Sequence, residues 1–241
     1  MTPARPARRA QPWRPRLYLP AYSVADSARF AQTSPQTVAH WHFGASRLGP
    51  VIPGKERGTP GRERGTPLSY LQLVEIAFVA TFRRLGISLQ RIRRTREYAS
   101  TVLSAEYPFA ELRWKTEGMH LLLDLHDFDR PEAPDDGELI VADAAGQTAW
   151  GHMVSERFLE FEYVDGLAVI WHVRGTFSQV LIDPRVSFGA PMVNGIPTWA
   201  VKGRYEAGEE IEEIAADFSL DGEQVKQSLE FEGIDLGLSA A

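Results

Sequence analysis

The chain has 241 residues, 44% of them apolar and 24% charged, with a formal net charge of −6; these are the proportions of a globular protein long enough for two domains. It has no cysteine, which excludes disulfides and thiolate metal sites, and no apolar run approaches a membrane span, so it reads as a soluble cytoplasmic protein without a membrane partner. The net charge hides a split: residues 1–100 carry 17 Lys and Arg against 5 Asp and Glu, a balance of +12, and residues 101–241 carry 9 against 27, a balance of −18. A basic front joined to an acidic back assigns nucleic acid to the first and a different partner to the second.

Residues 1–16 are rich in Pro, Ala and Arg and show no periodicity. They are expected to form a disordered basic arm, lying over DNA phosphates or simply solvated. From Tyr22 to Gly44 the sequence reads as two short helices around a tight turn. Ser23 with Asp26 makes a capping box for the first, and Val24, Ala28 and Ala31 share one face. Ser34 caps the second, Pro35 occupies its first position and Gly44 stops it. Val38 and Trp41 then face the first helix, which turns Gln36, Thr37 and His40 outward as side chains able to read base edges. By itself the segment is either an ordinary helical hairpin or a DNA-reading helix-turn-helix; its basic surroundings favour the second.

Arg47 to Pro67 crowds Gly, Pro and Arg together and repeats RGTP. It stands where a winged helix-turn-helix carries its wing, so Arg47, Lys55, Arg57, Arg62 and Arg64 are candidate phosphate contacts beside Ser34, Gln36, Thr37 and His40. Ser69 with Gln72 opens a helix through Leu71, Val74, Ile76, Ala77, Ala80 and Phe82 to Gly86. Ser88 opens another, in which Leu89, Ile92, Arg96, Ala99 and Leu103 recur at helical spacing, with Arg91, Arg93, Arg94 and Arg96 expected on its polar faces. Residues 17–125 are taken as one DNA-binding domain.

Residues 126–137 have the Asp, Pro and Glu composition of a linker. Residues 138–177 are expected to be a small β-rich bridge: a strand at Leu139–Ala142, then a hairpin around Asp165-Gly166 with Trp171 as a core anchor. Residues 178–241 open on dense turn signals and end in three helical pieces, Trp199 to Ala207, Ile211 to Phe218 and Gly222 to Glu232. The last two have helix-turn-helix spacing, yet this stretch holds 4 basic against 12 acidic side chains. A phosphate backbone would repel it, so a protein-binding or dimerising role fits better.

The C-terminal pattern of Asp183-Pro184, Gly189-Ala190-Pro191, Gly195-Ile196-Pro197-Thr198, Gly208, Ile214 to Phe218 and Ser228 to Phe231 resembles a small bacterial domain of unknown function found in VapB-type antitoxins. The front half, YSVADSARFAQTSPQTVAHW with the two helices after it, resembles the MerR-like DNA-binding domain that accompanies it. This chain departs from the pattern where Ala190 replaces a glycine and where Ile196-Pro197 separates the usual Gly-Thr pair. The resemblance implies an α+β, mainly α protein: a MerR-like winged helix-turn-helix, a small central β-sheet and a C-terminal helical domain. It further implies an antitoxin that neutralises a PIN-domain (VapC-like) ribonuclease and represses its own operon as a homodimer or higher oligomer bound to operator DNA.

No enzyme chemistry is expected. The six histidines have no ligand spacing, the carboxylates of Asp124, Asp127 and Asp129 belong to a polar linker, and no P-loop, GxGxxG or GxSxG occurs. Catalytic residues, metal and other cofactors are therefore expected to be none. The alternative is a MerR-like ligand-responsive transcription regulator whose back half binds a small molecule.

Overall fold

The computed structural model describes residues 11–44, 49–52, 68–111 and 156–237. Among these it is a mixed α/β structure with a small antiparallel sheet, organised on one helix, α3 (Tyr70–Arg84). The Ser69 hydroxyl accepts the Gln72 N–H (3.3 Å) and the Gln72 side chain accepts the Ser69 N–H (2.8 Å), the capping box its spacing predicts. Every residue from Tyr70 to Phe82 is buried. A helix apolar nearly all round belongs inside a protein rather than on its surface, and the other elements pack on it.

The hairpin α1 (Val24–Phe30) and α2 (Pro35–Phe43) lies on one side, tied in by the pairing of β1 (Pro20–Tyr22) with β2 (Leu68–Ser69). Helix α4 (Leu89–Leu103) packs beside it through Ile92 and Ala99. On the other side the Phe78 ring lies 4.9 Å from Phe158 and 5.5 Å from Phe161, and Phe161 stacks on Trp171 at 5.4 Å. Trp171 is fully buried, as expected of a core anchor.

Strands β3 (Phe161–Val164) and β4 (Leu167–His172) form the expected hairpin. Asp165 and Gly166 both have positive φ, 51° and 82°, the type I′ geometry that matches strand twist. The sheet then continues through β5 (Leu181–Ile182), β6 (Met192–Val193) and β7 (Ile196–Pro197) as an antiparallel meander in chain order. The turn-rich sequence after Val180 thus adds three short strands to the hairpin. Helices α5 (Thr198–Glu206), α6 (Ile211–Phe218) and α7 (Gly222–Phe231) complete the fold.

Two expectations are corrected. The arm expected to be free through residue 16 is ordered from residue 11: Arg14–Tyr18 is a 3-10 helix because Leu17 is fully buried and Arg16 donates to the Arg185 carbonyl at 3.1 Å. Arg96, placed on a polar face of α4, is buried against the fully buried Glu75 of α3, with Nε 2.5 Å from a carboxylate oxygen. The other Glu75 oxygen accepts the Phe109 N–H at 2.8 Å. Burial raises the Glu75 carboxyl above its ordinary range, and the Arg96 charge opposes that rise. The strand expected at Leu139–Ala142 and the linker at 126–137 lie outside the described residues.

Front and back share one apolar core running from Leu17 through α3 to Phe231. Gly189 explains one tight join. Its φ is +77°, any β-carbon there would run into the Tyr22 hydroxyl, and that hydroxyl donates to the Gly189 carbonyl at 3.1 Å.

Candidate nucleic-acid interface

The α1–α2 hairpin is fixed by local chemistry before it packs. The Ser23 hydroxyl accepts the Asp26 N–H at 3.0 Å and the Asp26 carboxylate accepts the Ser23 N–H in return. The turn is closed by the Thr33 N–H on the Ala28 carbonyl at 2.9 Å, with Gln32 at φ 54°. The Ser34 hydroxyl accepts the Thr37 N–H at 3.1 Å and lies 2.7 Å from the Thr37 hydroxyl. After Gly44 the chain folds back, and the Val51 and Ile52 N–H groups both donate to the Trp41 carbonyl at the end of α2 (2.8 and 3.2 Å).

Val38 and Trp41 are buried, as their spacing requires. Ser34, Gln36 and Phe43 are exposed and His40 is half-buried. Gln36, His40 and Phe43, at i, i+4 and i+7, form one stripe along the outer side of α2. Thr37 is half-buried and belongs to a neighbouring stripe with Trp41. Phe43, 57% exposed, was not singled out from the sequence; its position seven residues after Gln36 is the signal that could have found it. Arg47, Lys55, Arg57, Arg62 and Arg64 lie outside the described residues.

The Thr37 and Trp41 stripe faces a cleft of about 230 Å³ whose opposite wall is Arg83 and Arg84 from the end of α3. Behind it Arg157 donates to the Thr81 hydroxyl at 2.8 Å and pairs with Glu160. Burial lowers the Arg157 guanidinium from its ordinary value; Glu160 opposes that effect and the nearby Arg84 charge adds to it.

The second hairpin, α6 and α7, has a different surface. Glu212, Glu213, Glu223 and Glu230 are exposed. Gln227 is occupied internally, accepting the Gln179 N–H at 3.1 Å and donating to Glu223. Among the described residues, no helix is long and apolar enough to cross a membrane.

Residues 180–231, from β5 to the end of α7, match the family described as "Protein of unknown function (DUF433)". Over 227 residues the chain is 23% identical to "Putative antitoxin VapB45" of Mycobacterium tuberculosis strain H37Rv, covering 89% of this chain and 95% of that protein. Together these matches support an antitoxin-like family. The fold resembles the crystal structure of Rv2018 from Mycobacterium tuberculosis, with a TM-score of 0.67 and 20% identity, covering 88% of this chain and 98% of that one.

Proposed function

We propose that the chain is the antitoxin of a toxin–antitoxin pair, binding operator DNA through α2 and a PIN-domain (VapC-like) ribonuclease through its acidic C-terminal part. The observation that carries the reading is the similarity to an antitoxin-named relative over 95% of that relative's length, which takes in the front hairpin as well as the C-terminal domain. Two physical features support the division of roles. Exposed Gln36 and half-buried His40 lie on the outer side of α2 in the basic half of the chain, where phosphates are attracted. Exposed glutamates line α6 and α7 in the acidic half, where a phosphate backbone is repelled and a basic protein surface is attracted. The protein acts through binding, without chemistry of its own. Operator binding as a homodimer would place two copies of α2 in successive major grooves, about 34 Å apart.

The test is co-expression of the full chain with the product of the adjacent reading frame, followed by co-purification, a ribonuclease assay and a mobility-shift assay on DNA upstream of the operon. A stable complex with suppressed ribonuclease activity and a specific shift supports the reading. Absence of both a protein complex and a DNA shift overturns it.

A further inference from the structure

We propose that the cleft between α2 and the C-terminal end of α3 is a phosphate-binding site, seating one backbone phosphate of the DNA that α2 reads; the DNA source of that phosphate rests on the reading of α2 given above. The cleft, about 230 Å³, is bounded by Gln32, Thr33, Thr37 and Trp41 on the hairpin and by Arg83 and Arg84 on α3.

Three observations converge. The first is charge. Arg84 is held by neutral acceptors only, through Nη1 to the Ala31 carbonyl and Nη2 to the Thr81 hydroxyl, both at 3.3 Å. Arg83 is held by the Ile87 carbonyl at 2.6 Å. Among the described residues neither has a carboxylate partner, and Glu160, the acid that Arg84 influences, is paired with Arg157. Each guanidinium has five N–H donors, so both keep donors for a ligand after those bonds are made. Two positioned guanidinium groups, neither hydrogen-bonded to a carboxylate among the described residues, beside hydroxyls and an amide suit a phosphate oxyanion.

The second is position. The stripe of Gln36, His40 and Phe43 points out from α2, and Thr37 lies one residue, about 100°, around the helix. A base edge on the groove floor and a phosphate on the groove rim are related in this way when a helix lies in a major groove. The cleft also adjoins the turn between α1 and α2, where the first helix of such a hairpin meets the backbone. The third is the absence of a stacking surface. Trp41 is only 5% exposed, so the cleft offers no open aromatic face for a nucleobase, and recognition falls on the phosphate group itself.

The experiment uses the full chain and the variants Arg83→Gln, Arg84→Gln and Arg84→Lys, the last preserving a charge at position 84. Circular dichroism and thermal melting check that each is folded. Binding to the upstream duplex and to a scrambled duplex is measured across a salt series. In parallel, inorganic phosphate is titrated against chloride at matched ionic strength while the backbone amide resonances of Gln32, Thr33 and Thr37 are followed. For each glutamine variant we expect equal weakening on both duplexes and a log–log salt slope shallower by about 0.9, the value of one phosphate contact; Arg84→Lys should keep most of the slope. Free phosphate should move the three amides saturably in the wild type and not in the glutamine variants. If no duplex binds but phosphate saturates the amides, the reading of α2 falls while the site stands for a free phosphate group. Salt slopes unchanged in both glutamine variants, with no saturable phosphate shift, overturn the site.

Discussion

Arg29 of α1 donates from Nη1 to a carboxylate oxygen of Glu232, just after α7, at 3.0 Å, and its guanidinium lies 5.0 and 4.8 Å from the ring centroids of Phe30 and Phe231. Those rings are stacked at 5.8 Å, and the other Glu232 oxygen accepts the Thr198 hydroxyl at 2.5 Å. The hairpin carrying α2 is therefore fastened to both ends of the C-terminal helical unit. The ion pair is partly exposed and contributes little; the rings supply most of the attachment. Arg29→Ala should cost about 1 kcal/mol, and Phe231→Ala about 3–5 kcal/mol. A double-mutant cycle with Phe30→Leu and Phe231→Leu should give a coupling of about 0.5–1.5 kcal/mol by urea denaturation. Zero coupling would mean the stack does not hold the two together.

The shared core predicts how truncation behaves. Phe78 of α3 is covered by Phe158 and Phe161 from the back half, and Thr81 receives the Arg157 guanidinium. A fragment of residues 1–125 loses all three partners and exposes one face of its central helix. It should bind a hydrophobic dye and lack the near-ultraviolet dichroism of the whole chain. A fragment with native dichroism and a cooperative melt would show that the front folds alone.

Glu75 and Arg96 make a third test. Replacing Arg96 with Met leaves a buried carboxylate without its counter-charge and should cost about 3–5 kcal/mol. Adding Glu75→Met removes that charge and should recover much of the loss, but not all, because the Phe109 N–H then has no acceptor; the residual cost is about 1–3 kcal/mol. Denaturation midpoints of both variants measure the difference. A double variant no more stable than Arg96→Met would show that the unpaired charge is not the cause.

Alkali should destabilise the fold through its tyrosines. Burial, with the Glu106 charge adding to it, pushes the Tyr107 hydroxyl up from 10.0 to about 12. Burial also raises Tyr22, Tyr70 and Tyr163. For Tyr107 the folded value lies above the unfolded one, so its contribution is fully present below pH 10 and is lost as the pH rises towards 12. Urea midpoints should fall through that window, and Tyr107→Phe should flatten the fall. Phenolate absorbance rising at the ordinary pH, with the midpoint unchanged, would show these hydroxyls to be solvent-accessible.

Helix boundaries were legible because their signals are local. Ser23, Ser34, Ser69, Ser88 and Asp221 each cap the helix that follows, and Asp165-Gly166 turns its hairpin. Long-range partnerships were not legible. Arg96 and Glu75 are 21 positions apart, and Arg29 and Glu232 are 203 apart. No periodicity within one helix can say that an arginine on it meets a buried acid on another, so Arg96 read as one more solvated charge. The arm failed for the same reason: Arg16 donates to the Arg185 carbonyl, 169 positions downstream. Within the candidate site, Gln36 and His40 followed from helical spacing, whereas the cleft facing Thr37 required α3 to end beside α2.

That placement separates three side chains the sequence had grouped. Gln36 and His40 belong to the outer stripe of α2 with Phe43, whereas Thr37 faces Arg83 and Arg84, with its hydroxyl 2.7 Å from that of Ser34. If the outer stripe reads bases, Gln36→Ala and His40→Ala should each reduce discrimination between operator and scrambled DNA by about 1–3 kcal/mol. Phe43→Ala should do so only where a thymine methyl lies against it. Thr37→Val should weaken both duplexes together, because the lost hydroxyl sits beside the phosphate cleft. Ser34→Ala should lower stability by about 1 kcal/mol through loss of the cap, with discrimination kept. Competition titrations against scrambled duplex, together with thermal melts, resolve these outcomes. Discrimination that falls with Thr37→Val but not with Gln36→Ala or His40→Ala would place the base-reading side of α2 on the cleft and not on the outer stripe.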